Sequence, residues 1–251
     1  MIEIVIKGGL DEYSIVGTKD CTIFNYRNSS KLLVWEMNWN SLMNYFIGRI
    51  AKGQIIYLNH IASLGKALEQ GLIAGHNLEG YIRPLLQSFD SAKYQVEIVE
   101  VTDSYHVVKT GVDRDRHLAT GQTTISKGLW AGGHPFVYAI QEEYDPNTVS
   151  FYKELIRAGV RPQVIFIKGA ISSIQIILDG HHKLQAYNEM GINPSCVQIT
   201  KQTNYQVPDA MIHQVYKKWP SVSSPFSPPF PRSPQNPEQL RGIPSFSNED
   251  N

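Results

Sequence analysis

Along this chain apolar positions alternate, run together or recur at helical spacing, and each pattern predicts a different element. "EIVIKGG" alternates weakly up to a Gly-Gly turn and predicts a first strand. "CTIFNY" and "KLLVWEM", joined by polar "RNSS", predict two more strands. In "NSLMNYFIGRIAKG" the period changes: Leu42, Phe46 and Ile50 recur every four residues, Asn40 stands where a cap belongs, and Gly53 lies beyond the end. That spacing predicts a helix. "ASLGKALEQG" and "NLEGYIRPLLQSF" predict two shorter helices, with Pro84 expected to kink or divide the second. "KYQVEIVEV" and "YHVVKTG" read as a hairpin turning at Thr102, Asp103 and Ser104.

A polar, glycine-rich stretch, "DRDRHLATGQTTISKGLWAGGHP", then predicts an irregular connection, either a domain boundary or a mobile loop. The pattern sharpens after it. "PFVYAIQEE" predicts a strand. In "DPNTVSFYKELIRAG" Asp145 is an N-cap, Pro146 takes the first helical position, Gly159 follows the end, and Val149, Tyr152 and Ile156 share a face. "PQVIFIKG" and "IQIILDG" are Ile- and Val-rich strands separated by "GAISS". "HHKLQAYNEMG" is a helix with Leu184 and Tyr187 on one face and Gly191 as its stop, and "SCVQIT" is a closing strand. "PDAMIHQVYKKW" predicts a terminal helix capped by Asp209, with Ile212, Val215, Tyr216 and Trp219 as its buried stripe. Eight of the chain's 14 prolines fall after it, a composition that favours extended geometry and cannot build a core.

The expected fold class is α+β. An N-terminal α+β region of unknown role occupies 1–118, a mixed-sheet βαββαβ module 119–218, and a disordered Pro/Ser-rich tail 219–251. The three phenylalanines of the tail offer a route to a protein partner.

Composition narrows the function more than the fold. Lys and Arg together number 23, as do Asp and Glu, so no overall field draws the chain to nucleic acid or anionic lipid. Its two cysteines, Cys21 and Cys196, have no zinc-ligand spacing. The opening "MIEIVIKGGLDEY" turns polar too soon for a signal peptide, and no apolar run approaches the ~20 residues of a membrane span. The expected setting is cytoplasmic, with reduced thiols. Walker A, GxSxG and HExxH motifs are absent from the sequence.

Chemistry concentrates in "ILDGHHKLQAYNEMGI". The first amides of a helix have no intrahelical partner, and the helix dipole adds partial positive charge there. A glycine just before that point lets a ligand approach the backbone, and two imidazoles and an ammonium follow it. Asp179 can cap the helix, hold a metal or bind a ribose hydroxyl. Adjacent histidines at a helix start can equally do no more than cap backbone groups or sit in solvent. They do not suit zinc, because neighbouring helical residues diverge by ~100°. Upstream, "QEEYDP" sets Glu142 and Glu143 at a strand end, on opposite faces. One of them can serve as a general base or simply be solvated. "LWAGGHPF" and the run Arg114 to His117 read as a turn and a solvated loop.

With the preceding helix and "GVRPQVIFI", this motif resembles the core of the ParB/sulfiredoxin superfamily, over residues 135–200, about a quarter of the chain. There a strand-end "DG-x-H-R" or "G-x-R-R" motif opens a helix and binds nucleotide phosphates. Members include partition proteins that bind cytidine triphosphate, sulfiredoxins that use adenosine triphosphate, and a kinase acting on free serine. The resemblance implies that Asp179, Gly180, His181, His182 and Lys183 bind a nucleotide or phosphorylated small molecule. Its candidate catalytic residues are Glu143, as base, with His181 and His182. Mg²⁺ with ATP or another nucleotide would accompany catalysis. Lys183 departs from the family's usual arginine, replacing a bidentate fork with a point charge. His181 stands where sulfiredoxins carry their reactive cysteine, which excludes sulfinic acid reduction by that route.

Three functional expectations follow. The first is nucleotide or phosphate binding at the helix start, with phosphotransfer or hydrolysis. The second is a non-catalytic module for sensing a nucleotide or binding a partner. The third and weakest is a nuclease, disfavoured by the neutral charge.

Overall fold

Strands buried on both faces read as continuous apolar runs, and those covered on one face read as alternation. Both kinds occur here. The structure is a computed structural model describing residues 1–17, 21–26, 29–39, 42–49, 61–101, 106–108, 136–139, 145–170, 172 and 175–202. It contains strands β1 (Ile2–Ile6), β2 (Tyr13–Gly17), β3 (Cys21–Tyr26), β4 (Ser29–Trp39) and β5 (Leu42–Arg49), then helices α1 (Ala62–Gln70) and α2 (Leu78–Gln87). Next come β6 (Ala92–Glu100), β7 (His106–Val108), β8 (Phe136–Ala139), α3 (Pro146–Arg157), β9 (Val164–Gly169), β10 (Gln175–Asp179), α4 (His181–Met190) and β11 (Ser195–Lys201).

The fold is α+β with a mixed sheet. Seven strands form one sheet in the order β1-β6-β11-β9-β10-β8-β7, and four form an antiparallel meander β2-β3-β4-β5. In the larger sheet β11 runs parallel to β9, and β8 runs parallel to β10 and to β7. The remaining neighbours are antiparallel.

Alternation along the central strands divides the core. Ile165, Ile167, Ile176, Leu178, Val197 and Ile199 face one side, where they meet α1, α2 and aromatic residues of the small sheet. Val164, Phe166, Ile177 and Cys196 face the other and meet Leu184 of α4. Helix α3 packs on α4 through Val149, Ile156, Ala186 and Tyr187. The two sheets are also fastened by Lys201, only 1% exposed. Its ammonium donates to the Asp90 carboxylate and, at 3.1 Å, to the Ile15 carbonyl of β2.

Several expectations need correction. Residues 42–49 are a strand, paired with β4 from Leu32↔Arg49 to Trp39↔Leu42. Spacing by four is also spacing by two taken twice, and long-range pairing decides between them. The segment Tyr13–Gly17 is a strand that the sequence pattern did not indicate. The expected hairpin does not form, because β1 and β11 occupy both edges of β6 and β7 pairs with β8 at the far margin. Pro84 lies inside α2 without dividing it, where Ile82, Leu85 and Leu86 are fully buried. The boundary expected at 118/119 does not separate sheets: β1 and β6 before it continue the sheet of β9, β10 and β11 after it.

The order β-α-β-β-α-β from 136 to 201 is as expected, and so are the Asp145 cap, Pro146 at the helix start and the stop at Gly191. Glu142, Glu143, residues 113–135, the terminal helix and the Pro-rich tail lie outside the described residues. Among the described residues, no helix is long and apolar enough to cross a membrane.

Candidate functional site

The candidate site is the turn from β10 into α4. Strand β10 is buried through Ile176, Ile177 and Leu178 and delivers Asp179 to the sheet end. Gly180 then takes φ +93°, a left-handed conformation that disfavours any side chain. The space beside it is also tight: a Cβ at Gly180 would lie 3.2 Å from Lys183 Cδ and from Val164 Cα and Cγ2. The turn therefore needs glycine twice over. Helix α4 begins immediately, its first internal bond running from the Leu184 amide to the Gly180 carbonyl at 2.8 Å.

The N-cap residue of α4 is Gly180, which has no side chain to cap with. The capping role open to Asp179 is not the one adopted. Its carboxylate accepts instead from the Lys183 ammonium at 2.9 Å. That ammonium also donates to the Gln163 carbonyl at 3.2 Å and lies 5.8 Å from the centre of the Tyr152 ring. The Lys183 side chain is 5% exposed and that of Asp179 is 34% exposed. The lysine expected to meet phosphate therefore directs its charge inward.

His181 is buried and His182 is half-buried. The Nε2 of His182 accepts the Asp145 amide at 3.0 Å, which assigns the ring proton to Nδ1. Burial holds this imidazole below its ordinary pKa, with the charges of Asp145 and Asp179 opposing that shift. Asp145 is the N-cap of α3, so this one hydrogen bond joins the starts of both helices. The Asp145 carboxylate accepts from the Asn147 and Thr148 amides, each at 3.1 Å, and from the Thr148 hydroxyl at 2.5 Å.

Of the residues expected at the site, Asp179, Gly180, His181, His182 and Lys183 come together in one turn. Glu143 is outside the described residues. Three others belong to the neighbourhood although the motif did not name them. Asp145 was read only as a cap and also meets His182. Tyr152 was read only as part of a packing face. Its hydroxyl is pushed up to about 12, chiefly by burial and then by the charges of Asp179 and Glu69. Gln163 is 3% exposed, and its side-chain amide pairs with the Ile73 backbone at 3.0 and 2.9 Å. A lone glutamine opening the apolar run "QVIFI" was the one signal for it.

Electrostatically the turn is balanced rather than basic. Asp179 neutralises Lys183, Asp145 caps and neutralises the α3 start, and positive character comes from the α4 dipole, equivalent to roughly half a charge at its end. Such a site can orient an anion through amides, but it contributes little long-range attraction.

No family model, no curated protein and no solved structure matches this chain.

Proposed function

We propose that this chain is a ParB/sulfiredoxin-like binding module. Its α4 start receives a phosphate group of a nucleotide or phosphorylated small molecule and holds it without transferring it. The observation carrying this reading is the left-handed Gly180 turn, which opens α4 directly at the positive end of its dipole. Amides at helix ends suit phosphate oxygens, and the missing Cβ lets them come close. The non-catalytic half rests on Lys183 and Asp179, whose opposite charges satisfy each other.

Titration calorimetry with ATP, CTP, GTP and UTP, each with and without Mg²⁺, tests the reading alongside an assay for released phosphate. The expected result is saturable binding of at least one nucleotide with no release above the buffer rate. Absence of binding to all four overturns the nucleotide reading, and steady phosphate release overturns the non-catalytic one. The internal pairing of Lys183 favours a second reading, in which the module serves only to bind a protein partner.

A further inference from the structure

Lys183 occupies the position where the motif resemblance puts a phosphate-binding side chain, yet its surroundings describe a different task. The side chain is almost wholly enclosed. Its stem runs beneath Gly180, where Lys183 Cδ takes part of the space a Cβ would need. Its ammonium spans two fixed points, the Asp179 carboxylate at the end of β10 and the Gln163 carbonyl just before β9. Gln163 is itself anchored. Its amide donates to the Leu68 carbonyl of α1 at 2.7 Å, and its side chain holds Ile73 through both backbone groups. The brace therefore starts at α1, passes through Gln163 and Lys183, and ends on either side of the Gly180 turn.

A cation in the first turn of a helix opposes the helix dipole, so this lysine is not there to stabilise α4 as a helix. A buried ion pair is also weak evidence for stability, because desolvation offsets much of its attraction. Its better-attested use is to specify one arrangement among several.

We infer that Lys183 is a positioning residue: through Asp179 and Gln163 it fixes the Gly180 turn and aims the first amides of α4, and it does not touch the ligand. This rests on the phosphate-binding reading for its purpose but not for its geometry. The role also gives residues 61–73 a task, since they hold the far end of the brace.

The test compares the full-length chain with Lys183→Met, Asp179→Asn and the double variant. Amide hydrogen exchange is read at 180–184 and ATP affinity by calorimetry. In Lys183→Met, exchange at the turn should rise about tenfold and ATP should bind about tenfold more weakly. The double variant lacks the brace as well but leaves no charge unpaired, so it should stay about tenfold looser at the turn and about tenfold weaker for ATP than wild type. Weakened ATP binding by Lys183→Met with unchanged exchange at the turn would mean the ammonium meets the ligand, and the inference falls. It falls equally if the double variant recovers wild-type exchange and affinity, since the loss in Lys183→Met would then come from an unpaired charge and not from the missing brace. If the native chain takes up none of ATP, CTP, GTP and UTP while the exchange pattern holds, the brace stands and the phosphate reading fails. Should Lys183→Met not fold, Asp179→Asn probes the same brace from its other end, and unchanged turn exchange there overturns it.

Discussion

Helices α3 and α4 pack on each other and start within one hydrogen bond of each other, yet their starts are built on opposite plans. The α3 start is closed from within. Asp145 caps the amides of Asn147 and Thr148, and Pro146 has no amide to satisfy. The α4 start is held from a distance. It opens on Gly180, which has no side chain, the Asp179 carboxylate just before it turns to Lys183, and support comes from Gln163 and α1. A helix end can thus be finished by its own side chains or shaped by the rest of the fold. The second plan makes the α4 start depend on tertiary contacts through Lys183 and Gln163.

The largest expected effect comes from Gly180→Ala. Strain at a left-handed position and crowding against Val164 should together cost about 2–3 kcal/mol, read as a lower urea midpoint. Retaining the midpoint would mean the turn relaxes readily, and the contrast between the helix starts would lose its basis.

Asp145→Ala should act more locally and cost less. The Thr148 hydroxyl and then the Asn147 amide hold this carboxyl below the ordinary carboxylate range. A group with a depressed folded pKa stabilises the fold above its unfolded pKa, and that contribution disappears as pH falls through the folded value. The variant should therefore lose part of the acid sensitivity below about pH 4. Exchange should quicken at 147 and 148 but not at 180–184, because the backbone amide that meets His182 is retained. Equal loosening at both helix starts would show that the two are not independently built.

What was legible in the sequence follows the same division. The α3 start could be read because cap, proline and apolar face lie within a dozen residues of one another. Gly180 and the helix after it were legible for the same reason. The direction of Lys183 was not, since it depends on Gln163, which lies 20 residues away. Strand β5 was misread because its apolar spacing suits helix and strand alike, and only pairing with β4 decides. The continuity of the sheet across 118/119 was hidden in the same way: β6 looks local until β11 pairs with it in register from Ser195↔Glu100 to Lys201↔Tyr94. Local chemistry could be read, and tertiary pairing could not.

The smallest expected effect concerns the bond joining the two helix starts. His182 can accept the Asp145 amide only while Nε2 lacks a proton. Burial depresses its folded pKa, so the unfolded chain takes up a proton more readily than the folded one on acidification. Stability from neutral His182 is therefore present above the ordinary value near 6.5 and is lost as pH falls through the lower folded value. Asp145 and Asp179, the carboxylates whose charges act on it, favour the protonated ring and keep the effect modest. The His181 imidazole and the Lys183 ammonium lie in the same helical turn. His182→Gln supplies an amide oxygen that accepts at every pH. Thermal midpoints measured from pH 7.5 to pH 5 should fall more for the wild type than for this variant, with faster exchange at the 145 amide only in the wild type. Parallel curves would mean that protonation does not break the link, and that α3 and α4 hold their starts together by packing alone.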